Sequence, residues 1–225
     1  MSRSLHIRRG NSAVQNVLLK LKASKVIAII RGIQQEQAKP LFETLAASGI
    51  HFAEVTLNTP GALPIIHEMR ARYEGRMQIG AGTVLNKNQA REAIQAGAQF
   101  LISPNVDQGT IEEALARQVL PMPGALTPTE IVQAVHYGAP IVKIFPCSVL
   151  GPSYIKELRG PLGDVEMLAV GGITKDNAAS YLEAGATSIG IGGSLISLSA
   201  MQQGNYTAIQ TYAEQLMAAV HQAKK

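Results

Sequence analysis

Two ionisable residues stand where charge is costly. Lys143 interrupts the apolar run Ile141-Val142-Lys143-Ile144-Phe145-Pro146, and Glu54 interrupts Phe52-Ala53-Glu54-Val55-Thr56-Leu57-Asn58. A charged side chain taken from water into an apolar interior loses a large hydration energy unless it is partnered or neutralised. Side chains of an extended strand alternate between faces. Lys143 therefore opposes Val142 and Ile144, and Glu54 opposes Ala53, Val55 and Leu57. If those apolar neighbours pack on helices, both ionisable groups enter one interior. Burial there disfavours the ammonium form and supplies the neutral amine that imine formation needs. A carboxyl in the same interior can shuttle protons. The structural alternative is a lysine leaning out to solvent and a glutamate that only neutralises a base; two opposite ionisable groups in one interior favour a site.

Other strand ends carry a second layer of signals. Arg31-Gly32 puts a guanidinium where it can grip a carboxylate or a phosphate in a bidentate manner. Gly80-Ala81-Gly82-Thr83 offers small residues that let backbone approach a ligand, followed by a hydroxyl donor. Val170-Gly171-Gly172 and Gly190-Ile191-Gly192-Gly193-Ser194 place paired glycines late in the chain, where exposed backbone N–H groups and the Ser194 hydroxyl can hold an oxyanion. Tight turns are the plain alternative for either glycine pair alone. Cys147 follows the lysine run, but no histidine has an evident reason to sit beside it, so it reads as a small packed side chain. His6, His51, His67, His136 and His221 show no metal-ligand spacing.

These residues need a scaffold that brings strand ends together. The predicted strands are Val26–Ile30, Phe52–Thr56, Met77–Gly82, Gln99–Ile102, Val119–Met122, Ile141–Phe145, Glu166–Val170 and Ser188–Ile191. Helices are expected between and after them, over Glu36–Ala47, Gly61–Tyr73, Lys87–Ala96, Gln108–Arg117, Pro128–His136, Tyr154–Leu158, Asp176–Ala184 and Tyr206–Gln222. Val14, Val17, Leu18 and Leu21 follow helical spacing, so a further helix precedes the first strand, within residues 12–24. Glycines at Gly49, Gly97 and Gly185 sit where helix C-termini need a left-handed residue. Eight alternating βα units predict one α/β domain over residues 1–225, a (β/α)8 TIM barrel with an extra N-terminal helix and a solvated tail over residues 1–11. An open doubly wound sheet is the rival. In a barrel of this kind the strand C-termini form the active face, and a phosphate commonly binds after strands seven and eight.

Bulk properties narrow the classes. The 225 residues carry a net charge of +4, with few aromatics and no tryptophan. Arg3, Arg8 and Arg9 form the basic cluster, without the stacking aromatics that nucleic-acid binding needs. One cysteine excludes an internal disulfide framework. No apolar run is long enough to span a bilayer, and the N-terminus has no signal-peptide core. A cytoplasmic protein with a small-molecule partner, and no nucleic-acid or membrane partner, is expected.

With these residues in place, the chain resembles the class I aldolases of the KDPG (2-keto-3-deoxy-6-phosphogluconate) and 4-hydroxy-2-oxoglutarate family. The matching stretches are Ile30-Arg31-Gly32, Glu54-Val55-Thr56-Leu57, Gly80 to Leu85, Ser103-Pro104, Pro123-Gly124, Lys143-Ile144-Phe145-Pro146, Gly171-Gly172 and Gly192-Gly193-Ser194. The resemblance implies Lys143 as Schiff-base lysine and Glu54 as general acid/base. It implies substrate-binding positions at Arg31, Asn58, Thr83, Pro104, Phe145 and Val170, and a phosphate loop of Gly171, Gly172, Gly192, Gly193 and Ser194. It also implies a homotrimer with neither metal nor cofactor. Two departures stand out. Many gluconate-type members carry arginine where this chain has Asn58, and threonine where it has Val170; both changes are similar to the phosphogalactonate branch. The implied reaction cleaves a 2-keto-3-deoxy-6-phosphoaldonate to pyruvate and the phosphorylated aldehyde glyceraldehyde 3-phosphate, with 4-hydroxy-2-oxoglutarate as a further substrate. A phosphosugar isomerase or epimerase without imine chemistry, and a non-catalytic phosphometabolite-binding protein, are the rival functions.

Overall fold

The apolar runs become a parallel barrel. The computed structural model describes residues 12–223. The predicted tail, with Arg3, His6, Arg8 and Arg9, lies outside the described residues. In chain order the elements are α1 (Ser12–Ser24), β1 (Val26–Ile30), α2 (Gln35–Ala47), β2 (Phe52–Thr56), α3 (Ala62–Arg72), β3 (Gln78–Gly82), α4 (Lys87–Gln95), β4 (Phe100–Ile102), α5 (Gln108–Ala116), β5 (Leu120–Met122), β6 (Gly124–Ala125), α6 (Pro128–His136), β7 (Ile141–Ile144), α7 (Cys147–Arg159), β8 (Glu166–Val170), α8 (Ala178–Glu183), β9 (Ser188–Ile191), α9 (Leu198–Gln202) and α10 (Tyr206–Gln222).

Every strand pairing is parallel, in the order β5-β4-β3-β2-β1-β9-β8-β7-β6. The two ends of this order are neighbours in the chain, separated by Pro123 alone. Eight strands were expected, and the ninth segment is the second half of the fifth. The strand divides at Pro123, which has no N–H to give a ladder: Leu120–Met122 pairs with β4 and Gly124–Ala125 with β7. Lys143 N–H donates to the Pro123 carbonyl across the break, at 2.8 Å. Gly124 permits the junction, because a Cβ there would lie 2.5 Å from the Pro104 carbonyl carbon.

Parity divides the core as the alternation demands. Ala53, Val55, Val142 and Ile144 pack outward with the helices. Ile27, Phe52, Phe100, Leu120 and Ile141 point inward at the strand N-termini, where Val14, Leu18 and Leu21 of α1 join them. The N-terminal helix is thus a plug for one end of the barrel. The Phe52 and Phe100 rings meet tilted at 5.7 Å. Such a pair stabilises by about 0.5–1.5 kcal/mol beyond its area burial. With α1 packed across that end of the barrel interior, the interior opens at the strand C-termini.

Two helices differ most from expectation, and β7 and α8 are shorter, over Ile141–Ile144 and Ala178–Glu183. α7 was predicted over Tyr154–Leu158 and runs over Cys147–Arg159, as two helical pieces joined at Gly151. Gly151 takes φ 71°, which favours glycine, and Pro152 pre-sets the backbone of the second piece. Proline on one side and glycine on the other concealed the first turn. The short α9 after β9 was not predicted, because five residues carry too little periodicity to read.

Candidate active site

A cavity of about 730 Å³ opens at the C-terminal end of the barrel. Lys143, Glu54, Arg31, Asn58, Thr83, Pro104, Phe145, Val170, Gly171, Gly172, Gly192, Gly193 and Ser194 all line it. Residues from seven strand ends converge there, a placement that only barrel closure achieves. Ile29, Ile173, Thr174, Gly190, Ile196 and Leu198 also line the cavity and were not anticipated. Their signal was present in part. Ile29 and Gly190 share the inward parity of their strands, whereas Leu198 arrives on the unpredicted α9.

Lys143 is 7% exposed and Glu54 is 2% exposed. Desolvation pushes the Lys143 ammonium below its ordinary range; the Glu54 charge opposes that shift and Arg31 adds to it. Desolvation also raises Glu54 to about 7, against the opposing pull of Lys143 and Arg31. Burial is the leading cause in both cases, and it favours the neutral form of each group. Glu54 Oε2 is buried with no hydrogen-bond partner among the described residues. A carboxyl oxygen held in that way is free to exchange a proton with something entering the cavity. The Lys143 Nζ stands 4.5 Å from the centre of the Phe145 ring, just past the end of β7.

The glycines of β3 do a different job from the one expected. A Cβ on Gly80 would fall 2.3 Å from the Phe100 ring, and one on Gly82 would fall 2.6 Å from the Glu54 carboxyl carbon. The small residues were read as room for a ligand. They are room for two of the protein's own side chains, and Gly82 is what lets the Glu54 carboxyl lie flat against β3. Thr83 then takes φ 57°, a region that a β-branched residue rarely enters. Its Oγ1 receives Arg31 Nη2 at 3.5 Å.

The mouth near Asn58 is fixed by short contacts. Leu57 N–H donates to the Gly82 carbonyl at 2.8 Å, and Thr59 N–H closes a turn on Thr56. Thr59 Oγ1 lies 3.1 Å from Thr56 Oγ1 and accepts the Gly32 N–H at 3.0 Å. Thr59 thereby ties the loop carrying Arg31 to the loop carrying Asn58.

At the opposite wall, Gly171 has φ 102° and Gly172 φ 70°. Cβ atoms would press Gly171 on Pro146 and Cys147 and Gly172 on Ser148, the last at 2.7 Å. Gly193 faces open space. Leu195 and Ile196 N–H both donate to the Gly192 carbonyl, forming one helical turn. The Gly193 and Ser194 amides therefore head a turn whose first N–H groups have no acceptor among the described residues, the arrangement that suits an oxyanion. The Ser194 hydroxyl donates to the Ile173 carbonyl at 2.7 Å.

Cys147 behaves as a packed side chain. It is buried, its Sγ contacts the Ile144 carbonyl at 3.1 Å, and burial pushes its thiol up to about 11. Among the described residues, no three of His, Cys, Asp and Glu come close enough to share a metal ion. No helix among them is long and apolar enough to cross a membrane.

A family model described as "KDPG and KHG aldolase" matches residues 17–212. A probable 2-dehydro-3-deoxy-6-phosphogalactonate aldolase of Rhizobium meliloti is 39% identical over 171 residues, which cover 76% of this chain and 81% of that protein. The KHG/KDPG aldolase of Escherichia coli K12 is 34% identical over 197 residues, 87% of this chain and 92% of that protein. Among solved structures, one described as "Native KDPGal structure" superposes with a TM-score of 0.83 at 32% identity, covering 88% of this chain and 95% of that chain. The KDPG aldolase of Legionella pneumophila, holding pyruvate as a covalent carbinolamine intermediate, superposes with a TM-score of 0.82 at 29% identity, covering 87% and 95%.

Proposed function

The chain belongs to the KDPG and KHG aldolase family, and from that membership we propose that Lys143 forms an imine with a 2-keto-3-deoxy-6-phosphoaldonate while Glu54 moves the protons. The chain is a class I aldolase and a carbon–carbon lyase. The observation that carries the assignment of roles is the burial of Lys143 and Glu54 in one cavity, each driven by desolvation toward its neutral form.

Neutral Lys143 attacks the C2 ketone. Loss of water gives an imine, whose protonated form accepts an electron pair. The ionised Glu54 carboxylate takes the C4 hydroxyl proton, the C3–C4 bond breaks, and its electrons pass into the iminium. The products of that step are an enamine of pyruvate and glyceraldehyde 3-phosphate. Protonated Glu54 returns a proton to C3, and water hydrolyses the imine to release pyruvate and Lys143. The water lost on imine formation balances the water taken up. Arg31, supported by Thr83, receives the substrate carboxylate, and Pro104 and Phe145 wall the reacting carbons. The Gly193 and Ser194 amides, beside Gly171, Gly172 and Gly192, receive the phosphate.

The galactonate epimer is the preferred substrate in this reading, with 4-hydroxy-2-oxoglutarate a slower one. Val170 presents methyl groups to the cavity and cannot donate to a hydroxyl, so discrimination at C4 is relaxed or inverted. Asn58 supplies a neutral amide at the mouth and leaves the carboxylate to Arg31. The reading further takes the protein to act in the cytoplasm as a homotrimer; Val149, 71% exposed, and Leu150 supply apolar surface for a subunit contact, and light scattering in solution would return one subunit mass if this is wrong.

Pyruvate with borohydride tests the central step. The expected result is a reduced adduct on Lys143, absent from Lys143→Met. Phosphosugar turnover without any adduct would instead mark an isomerase or epimerase, and neither result would mark a binding protein.

A further inference from the structure

A second cavity, of about 440 Å³, lies at the other end of the barrel. It is bounded by the C-terminal half of α1 (Lys20, Ala23, Ser24), the approach to β2 (Gly49, His51, Phe52), the approach to β3 (Gly75, Arg76, Gln78) and the end of α10 (Met217, His221). Phe52 and Gln78 are the first residues of their strands, so this cavity is on the face opposite the aldolase site.

The polar groups around it are of one kind. Lys20, His51, Arg76 and His221 supply donors, and among the described residues no carboxylate lines the cavity. None of the four takes part in an ion pair among the described residues. Basic residues near helix C-termini offset the helix macrodipole, which accounts for some of this charge. It does not account for two deeper groups. Gln78 is 6% exposed, and its Oε1 accepts from Gln99 Nε2 at 3.0 Å. That leaves the Gln78 amide N–H groups without an acceptor among the described residues. The Ser24 hydroxyl is likewise buried and unpartnered. An unpaired buried hydroxyl costs free energy unless something accepts from it, and the Gln78 amide presents its free donors to the cavity it lines. The Arg76 guanidinium, 5.2 Å from the centre of the Tyr73 ring, is held beside the cavity by that ring.

We propose that this cavity is a second anion site, one that takes a small phosphate monoester. Six donor groups from four elements exceed what the two oxygens of a carboxylate accept, and they suit the three oxygens of a dianionic phosphate. The volume exceeds that of a bare ion and falls within the range of small-ligand pockets. Phe52 and Met217 cover the carbon skeleton that fills the remainder.

The test follows the imidazole resonances of His51 and His221 by NMR while glycerol 3-phosphate is added at constant ionic strength; each resonance is assigned by its His→Gln variant. Neither His51 nor His221 lines the aldolase cavity, so ligand bound there does not produce these shifts by direct contact. The expected result is a saturable shift of both resonances, no response to glycerol, and roughly tenfold or greater weakening in Lys20→Gln/Arg76→Gln, since hydrogen bonds to charged groups are the strong ones. Both substituted residues are exposed, so the variant keeps the core intact. The absence of a saturable shift, an equal response to glycerol, tighter binding of malate, or unchanged affinity in the double variant would each overturn the proposal.

Discussion

Replacing Gly82 with alanine should damage proton transfer and leave imine formation standing. The new Cβ would lie 2.6 Å from the Glu54 carboxyl carbon and 2.6–2.7 Å from its two oxygens. Ordinary van der Waals contact begins near 3.4 Å, so the carboxyl must retreat by about 0.8 Å, because backbone on β3 cannot yield as easily as a side-chain end. Gly82 does not use a positive φ, so alanine is compatible with its backbone, and the energetic cost is confined to local overpacking of about 1–3 kcal/mol. A misplacement near 1 Å of a catalytic group can cost roughly 10²-fold in rate. The expected outcome is therefore a fall in kcat of roughly that size, with pyruvate still trapped on Lys143 by borohydride. Cleavage is followed by coupling released pyruvate to lactate dehydrogenase, and trapping by intact mass. A Gly82→Ala enzyme with near-normal kcat would refute the placement of Glu54 as the proton shuttle. A variant that neither cleaves nor traps would show that the damage spreads beyond that carboxyl.

Glu54→Gln should lower kcat by roughly 10²–10⁴-fold, the range for a lost general acid/base, with a smaller change in KM. The same variant tests the raised Glu54 value. Between its ordinary 4.5 and about 7 the folded protein holds a proton that the unfolded chain has released. Wild-type stability therefore falls, relative to Glu54→Gln, as pH rises through that window, by on the order of 3 kcal/mol in total; parallel Tm curves for the two proteins from pH 4.5 to 7 would contradict it. Val170→Thr puts a hydroxyl on the cavity wall and should shift the ratio of kcat/KM for the gluconate over the galactonate phosphate upward by roughly tenfold, the worth of one hydrogen bond; an unchanged ratio would remove Val170 from substrate choice. Gly124→Ala drives a Cβ to 2.5 Å from the Pro104 backbone, where no flexible side chain can yield. It should lower the denaturation midpoint by more than Gly82→Ala does, and the reverse order in urea unfolding would count against the close approach at the broken strand.

The parity of the strands was legible in the residues alone. Alternation placed Lys143, Glu54 and Phe52 on the inward face and Val142, Ile144, Ala53 and Val55 on the outward face, and the packing follows that division. Local chemistry decides such things: each side chain's hydrophobicity acts within two or three residues of itself. The first turn of α7 and the short α9 were not legible, because their backbone is directed by Gly151, by prolines and by contacts from other elements. Gln37 Nε2, for instance, donates to the Met201 carbonyl in α9 across 164 positions of sequence.

Residue types and order alone determined the βα repeat, the inward lysine and glutamate, and the glycine-rich ends that an anion can approach. Tertiary structure decided what each small residue is small for. Gly80 yields to the Phe100 ring, Gly82 to the Glu54 carboxyl and Gly124 to the backbone at Pro104. It also decided that Ser194 spends its hydroxyl on Ile173, and that desolvation raises Glu54 to about 7. These outcomes depend on atoms distant in the chain arriving within a few ångströms. Burial and steric exclusion act through space, so they exist only once the barrel has closed.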